Sequence, residues 1–384
     1  MSKGPLSGIR ILEQGTFITG PCCGMMLAEL GADVIKVETP GTGDPYRSYQ
    51  TGFYSAHFQA YNRNKRNVAL DLKNPEHQKM FDVLVKEADV YIQNFRPGAA
   101  DRLNAGHARL REINPKLVYC SISGFGQTGP YVARPAYDSV AQGLSGFLSV
   151  VVDRERPRFL GPALADAMTG IYASLGILGA LVERGRTGVG RLLEISMLEA
   201  MAHFAVEPYS ALFALGDVPK SSDRPRLAQA YILRTKDDGL IAIHLSSIEK
   251  FWDELIAGIG GEHIKADPRF ETRLKRIDNY EALAEALGDV FKTRTKAQWV
   301  EALSQRDVPF APVNNVDEVT HDPQAQHLGL FVPVVGALEG AKEAVRGPFV
   351  YDGQRPTEVR PAPLIDQYGD QIREWINTKG SWPT

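Results

Sequence analysis

The stretch IRILEQGTFITGPCCGMMLAELGADVIKVE, residues 9–38, decides the fold. Ile9–Leu12 reads as a strand. Gly20-Pro21 opens an apolar run of helical length, Cys22–Leu30, and Ala32–Glu38 reads as a second strand. The pattern repeats downstream. Val68–Leu72 is a short strand, Pro75–Ala88 a helix with proline near its first turn, and Val90–Ile92 is strand-like. Ala99–Leu110 is expected to be helical, and Leu117–Ser123 is a further strand. Strands alternating with helices of this length imply βαβ units and a mainly parallel sheet, which places the chain in the α/β class.

A long helix is expected over Asp166–Glu183, a turn over Gly185–Gly190 and a strand over Leu192–Ser196. The polar segment Gly216–Pro225 then reads as a linker. Beyond it the pattern changes. Ala230–Arg234 and Leu240–Leu245 flank Lys236-Asp237-Asp238-Gly239, a hairpin signal. Helices are expected over Ile248–Ile259, Tyr280–Phe291 and Lys296–Gln305. The resulting expectation is a first region over 1–215, a linker over 216–229, a small α+β domain over 230–330 and a proline-rich return over 331–384. That return is expected to be loop-like, with a short helix up to about Trp375.

Composition narrows the function classes. The 384 residues are 43% hydrophobic and 23% charged, ordinary for a folded globular chain rather than a disordered or collagen-like one. A net charge of −3 gives no global basic field for nucleic acid. Three cysteines, two of them adjacent, make no disulfide framework, and a reducing compartment is the simple reading. The N-terminus shows no signal-peptide core. The longest apolar stretch, Ile171–Val182, is interrupted by Ser174, Gly176 and Gly179, so neither a membrane span nor a membrane partner is expected and the chain reads as cytoplasmic. None of the eight histidines has metal-ligand spacing, so no metal is expected, and no G-x-S-x-G elbow is present.

Four segments carry chemistry. Gly124-Phe125-Gly126-Gln127-Thr128-Gly129 spells G-x-G-x-x-G after a strand, but Pro130 and Pro135 leave no room for the helix that a dinucleotide pyrophosphate requires. A flexible loop over an active site, or a plain turn, remains. Asn62-Arg63-Asn64-Lys65-Arg66-Asn67 is either a solvated loop or a phosphate-binding cluster. Asn94-Phe95-Arg96-Pro97-Gly98 follows a strand, where parallel sheets bind ligands, and Phe95 could pack on an aromatic base. Asp166 lies among small and apolar residues at the start of a helix. Its position suits an N-cap as well as a catalytic carboxylate, and Asp138 invites the same cap reading.

Taken together, the chain resembles the class III CoA-transferases, the CaiB/BaiF type that includes formyl-CoA:oxalate and carnitine CoA-transferases. The resemblance rests on PLSGIRIL (5–12), Gly20-Pro21, GADVIKVE (31–38), Gly43-Asp44, Asn64-Lys65-Arg66 and ALDLK (69–73). It continues through QNFRPG (93–98), SISGFGQTGP (121–130), Pro135-Ala136-Tyr137-Asp138, Ala165-Asp166, RTGVGRLLEISM (186–197) and Ala362-Pro363-Leu364. The matches keep their order through nearly the whole chain.

The resemblance implies a Rossmann-like large domain built from both chain ends, a small domain inserted between them, and an interlocked homodimer. It implies Asp166 as the nucleophile that exchanges CoA between an acyl-CoA and a carboxylic acid through anhydride and aspartyl-thioester intermediates, with Asp138 beside it. CoA is then a substrate, and no cofactor is needed. Carried over residue by residue, the CoA contacts are Leu72, Lys73, Asn94, Phe95 and Arg102, with Met197 near the pantetheine and Gly124 and Gly126 in a shielding loop. Arg66 is added for a phosphate. Phe17, Ile18 and Thr19 stand where oxalate enzymes carry a glutamine-bearing segment, and Asp138 replaces a glutamate. The glycine-rich loop that oxalate enzymes carry in their second half is not visible near 225–245. These departures point to a larger acid: a dicarboxylate, or a branched or aromatic acid. The α-methylacyl-CoA racemases are similar and would also place an aspartate at Asp166, but their histidine partner is missing around Ala136–Asp138. A non-catalytic CoA-binding protein is the third alternative.

Overall fold

The computed structural model describes residues 4–50, 52–246, 249–337 and 339–383. The chain divides into two compact units, one of residues 1–148, 159–206 and 324–384, the other of 149–158 and 207–323.

The first unit is built on six parallel strands: β1 (Arg10–Gln14), β2 (Asp33–Glu38), β3 (Arg66–Ala69), β4 (Val90–Gln93), β5 (Val118–Ser123) and β6 (Leu192–Ser196). Between them run α1 (Thr19–Glu29), α2 (Ala56–Asn62), α3 (Pro75–Glu87), α4 (Ala99–Arg102), α5 (His107–Ile113), α6 (Asp138–Leu144) and α7 (Leu164–Thr187), with α8 (Met197–Phe204) after β6. The strand order is β3-β2-β1-β4-β5-β6. Successive residues face opposite sides of the sheet. Leu12, Ile35 and Tyr91 therefore enter one core with Phe81 of α3, while Ile11, Val34 and Ile92 enter another with Leu27 of α1 and Ile177 of α7. Burial on both faces is why these strands read as near-continuous apolar runs. The order reverses direction between β1 and β4, and the carboxyl ends of those two strands frame the crevice where such sheets bind ligands.

The second unit holds α9 (Val206–Leu215, whose first residue belongs to the first unit), α10 (Asp223–Ala228), the antiparallel hairpin β7 (Ala230–Arg234) and β8 (Leu240–His244), and β9 (Phe310–Pro312) paired to β8. Helices α11 (Glu249–Ile259), α12 (Glu262–Lys265), α13 (Arg273–Asp278), α14 (Tyr280–Phe291), α15 (Lys296–Ser304) and α16 (Val316–Thr320) complete it around Trp252, Leu255, Phe291 and Trp299. The return begins with α17 (Pro323–His327) and a small ladder of β10 (Phe331–Pro333) and β11 (Glu343–Val345). It ends in α18 (Gly369–Lys379).

Several boundaries differ from expectation. The units part at 206/207 and 323/324 rather than at 215 and 330, and residues 149–158 go with the second unit. The segment expected as a linker contains α10. Ala99–Leu110 is two helices, because Asn104 takes φ +53 and a Cβ on Gly106 would meet the Asp101 carboxylate at 1.9 Å. The strand expected at Val68–Leu72 is shifted to Arg66–Ala69. Ile248, expected to start a helix, lies outside the described residues. The return is less loop-like than expected: α18 packs on α3 and β3, and Ile372, Ile376 and Trp382 complete the first core.

Helix α7 also exceeds expectation. By length and composition it is apolar enough to cross a membrane. Its interrupting residues do not end it. The Ser174 hydroxyl donates to the Gly170 carbonyl at 2.9 Å, and Gly176 lies where a Cβ would meet Leu193 at 2.8 Å. One face of α7 packs on α1, β5 and β6.

Candidate active site

A cavity of about 680 Å³ opens at the carboxyl ends of β1, β4 and β5. The loop after β1 and the loop after β4 are stapled by one side chain. Asn94 Oδ1 accepts from the Thr16 N–H at 2.9 Å, and its amide donates to the Thr16 carbonyl and the Thr19 hydroxyl, each at 2.8 Å. Two regions expected from sequence to meet a ligand, Phe17–Thr19 and Asn94-Phe95, are thereby locked into one wall.

The loop after β5 supplies another wall. Gly124 and Gly126 line the cavity. A Cβ on Gly124 would fall 2.2 Å from the Ala136 Cβ, and Gly126 takes φ +98 while its N–H donates to the Ser123 hydroxyl at 3.0 Å. No helix begins inside the glycine motif. The Leu198 N–H donates to the Gly124 carbonyl at 3.1 Å, tying this loop to α8, whose first residue, Met197, also lines the cavity.

Asp166 and Asp138 both face this space. Neither caps its own helix. The N-cap positions of α7 and α6 are Ala163 and Tyr137, so Asp166 sits in the first turn of α7 and Asp138 opens α6. The Asp138 carboxylate instead crosses to α7. Its Oδ1 accepts from the Ala165 N–H at 2.7 Å and the Asp166 N–H at 3.3 Å, and its Oδ2 accepts from the Gln142 amide at 2.7 Å. It thus satisfies first-turn donors that α7 leaves unpaired. Burial, and then the negative charge of Asp138, push the Asp166 carboxyl up to about 7. Among the described residues no ion pair to either aspartate is present, and no histidine lines the cavity.

A smaller cavity of about 280 Å³ is lined by Leu72, Lys73, Asp71 and Leu103. It shares Thr16 and Phe95 with the larger one, so a ligand longer than either could straddle Phe95. Arg102 is exposed on the last turn of α4 and lines neither cavity.

The basic segment 62–67 is not a solvated loop, because its cations are paired within the fold. Lys65 is fully buried, 2.7 Å from Glu13 and donating to the Pro21 carbonyl, while Arg63 pairs with Glu29. Arg66, expected to hold a phosphate, pairs instead with Asp33 and donates to the Pro383 carbonyl. Sequence reading could not see that these cations have acids and carbonyls waiting on β1, α1, β2 and the C-terminus.

It also missed wall residues. Tyr46, Tyr49, Arg134 and Tyr137 line the large cavity beside Arg96, which belongs to the segment 94–98 expected to meet a ligand. For Tyr46 and Tyr49 the run PYRSYQTGFYSAHF, residues 45–58, was the available signal, with five aromatic residues and His57 close together in sequence.

The family model described as CoA-transferase family III matches residues 6–368. The chain is 32% identical to a succinate–glutarate CoA-transferase of Agrobacterium fabrum over 98% of this chain and 96% of that one. It is 32% identical to an acetyl-CoA:oxalate CoA-transferase of Acetobacter aceti, over 97% and 96%. Among solved structures, a CaiB/BaiF family protein from Brucella suis superposes with a TM-score of 0.87 at 32% identity, covering 97% of this chain and 99% of that one.

Proposed function

The chain belongs to CoA-transferase family III, and from that premise we propose that it moves CoA from a donor acyl-CoA to an acceptor carboxylic acid with Asp166 as nucleophile. The observation that carries this reading is an aspartate without a cation partner, facing a cavity at the switch point of the sheet beside a second carboxylate. Among the described residues, the cavity lacks the histidine that an acid–base pair for racemisation would use.

The Asp166 carboxylate attacks the thioester carbonyl; the C–S bond breaks, leaving a mixed anhydride and CoA thiolate. The thiolate attacks the aspartyl carbonyl, forming an aspartyl-CoA thioester and releasing the donor acid. The acceptor carboxylate attacks this thioester, and the thiolate it expels then attacks the acyl carbonyl of the new anhydride. The products are the acceptor's CoA ester and the free Asp166 carboxylate. No net proton, electron or ATP is consumed, so CoA is a substrate and no cofactor takes part.

Asp138 positions the nucleophile by fixing the first turn of α7. The Gly124–Gly129 loop excludes water from the anhydride. Leu72, Lys73, Asn94 and Phe95 receive the nucleotide end, with Arg96 and the exposed Arg102 as cations for its phosphates and Met197 beside the pantetheine. The aromatic wall favours an acceptor larger than oxalate. Three buried free thiols, Cys22, Cys23 and Cys120, suit a reducing, cytoplasmic compartment.

A homodimer covers apolar surface that each unit leaves open. Ile171, Leu175 and Val182 form an exposed stripe on α7, and α9 carries Phe213 and Leu215 yet buries none of its residues. Sedimentation should show a dimer at micromolar concentration; a stable, active monomer would refute it.

The decisive test is covalent. Incubation with acyl-CoA alone should add CoA, less one water, to the peptide containing Asp166, and hydroxylamine should convert that residue to a hydroxamate. Binding of acyl-CoA without adduct or exchange would leave only a CoA-binding protein, and α-epimerisation of a chiral acyl-CoA would identify a racemase.

A further inference from the structure

The loop between β1 and α1 is held by charge as much as by packing. Phe17 takes φ +58, a left-handed backbone that a bulky side chain rarely adopts. Its N–H donates to Asp44 Oδ1 at 3.0 Å. The same oxygen accepts from the Tyr46 N–H at 2.9 Å, capping the 3₁₀ turn Pro45–Ser48. The other oxygen lies 3.0 Å from Lys36 Nζ. That ammonium also donates to Glu13 at 3.0 Å and to the Gly15 carbonyl at 2.6 Å, two residues before Phe17. The Asp44 N–H in turn donates to Glu38 at 3.0 Å. Lys36 and Asp44 are both buried, and burial works against the Lys36 charge, but Glu13 and Asp44 outweigh it and keep the ammonium protonated.

One carboxylate oxygen therefore fixes the backbones of two rings. Phe17 and Tyr46 stand 5.8 Å apart by ring centroid, and both line the cavity that holds Asp166. Tyr137 meets Phe17 edge-on at 6.3 Å and extends the same wall. Asn94 holds the Thr16 N–H and carbonyl and Lys36 holds the Gly15 carbonyl, but the acceptor for the Phe17 N–H is Asp44; removing that oxygen lets Phe17 relax toward negative φ, which would turn its ring away from Tyr46.

We propose that Asp44, braced by Lys36, is a positioning residue that sets the acid-facing wall of the cavity and thereby selects carboxylic acids with an apolar or aryl body over small ones such as oxalate. The selection rests on the transferase reading above; the positioning does not.

The full-length chain would be assayed with one acyl-CoA donor and a panel of acceptors: oxalate, succinate, a branched-chain acid and an aryl acid. Asp44→Asn keeps an acceptor oxygen for Phe17 and Tyr46 and should retain the acceptor preference within about threefold. Asp44→Leu removes the acceptor and should raise KM for the apolar and aryl acids by about tenfold or more, with kcat and calorimetric CoA affinity changed far less. Phe17→Ala, which leaves the ion pair intact, should lose the same preference even if the Leu variant fails to fold. Unaltered acceptor preference in Phe17→Ala, or in folded Asp44→Leu, would overturn the selection. A crystal structure of Asp44→Leu or Asp44→Asn is the second readout. Phe17 at negative φ in the Leu variant and at positive φ in the Asn variant is expected, and any other pairing overturns the positioning. A wild-type chain that exchanges CoA with no acid would instead remove the transferase reading, while the Phe17 conformation would still decide the role of Asp44.

Discussion

Two groups of carboxylates lie in the same unit and are treated oppositely. Glu13, Glu38 and Asp44 are buried with Lys36, Arg47 and Lys65, three acids against three cations. Glu38 receives two bonds from Arg47, at 2.8 and 2.7 Å, and one from Asn67 at 2.9 Å; these outweigh burial and hold its carboxyl below the usual range. Asp138 and Asp166, in contrast, face a cavity with each other and, among the described residues, with no ion pair to either, and burial followed by the charge of Asp138 pushes Asp166 up to about 7. Compensated charge fixes a backbone, whereas uncompensated charge leaves a carboxylate poised to react or to meet a ligand.

The comparison can be broken first at Asp166. Asp166→Asn should cut CoA exchange by about 10⁴-fold or more while leaving CoA binding intact, measured by product mass spectrometry and calorimetry. The same change should stabilise the fold. The folded-state pKa of Asp166 lies above the unfolded value near 3.8, so its contribution to stability falls as pH rises from about 4 through about 7. The Asn variant should therefore gain about 1–3 kcal/mol above pH 7 and almost nothing below pH 4, read from urea unfolding at several pH values.

The compensated group should behave in the reverse sense. Arg47→Met leaves Glu38 buried with its main partner gone and removes the guanidinium stacked 3.8 Å over Phe58. It should cost about 3–5 kcal/mol by denaturant unfolding. A cost under about 1 kcal/mol would mean that the network is not tightly coupled.

Asp138→Asn sharpens the contrast. The amide oxygen can still accept from the Ala165 and Asp166 N–H groups, but the negative charge is gone. The pH at which turnover reaches half its plateau should fall by about half a unit to one unit relative to the wild type, because burial still acts on Asp166 and the repulsion does not. The smallest effect is expected at Arg66. Its partners are Asp33 and the Pro383 carbonyl, so Arg66→Gln should change CoA affinity less than about twofold while lowering stability modestly.

The parallel sheet was legible because β1, β2, β4 and β5 are buried on both faces and the helices show one apolar face, so local composition and three-dimensional environment agree. The expectation that no helix begins in the glycine motif at 124–129 holds, because Pro130 and Pro135 interrupt the backbone there. Asp138 and Asp166 were singled out, but the cap reading of each was local. It failed because the partner of one helix end stands 27 residues away in sequence, on another helix. The basic run at 62–67 misled for the same reason: counting cations in a row says nothing about the acids that other strands place opposite them.

Sequence by itself determined the order of strands and helices, the family resemblance and the short set of carboxylates and loops worth testing, because periodicity, glycine and proline act within a few residues of where they stand. Tertiary structure alone decided that the β1 and β4 loops share a wall through Asn94, that Asp138 caps α7 rather than α6, and that Lys65 and Arg66 serve the fold. Each of those outcomes depends on desolvation and on donors and acceptors brought together from distant segments, and such quantities exist only once the chain has closed around them.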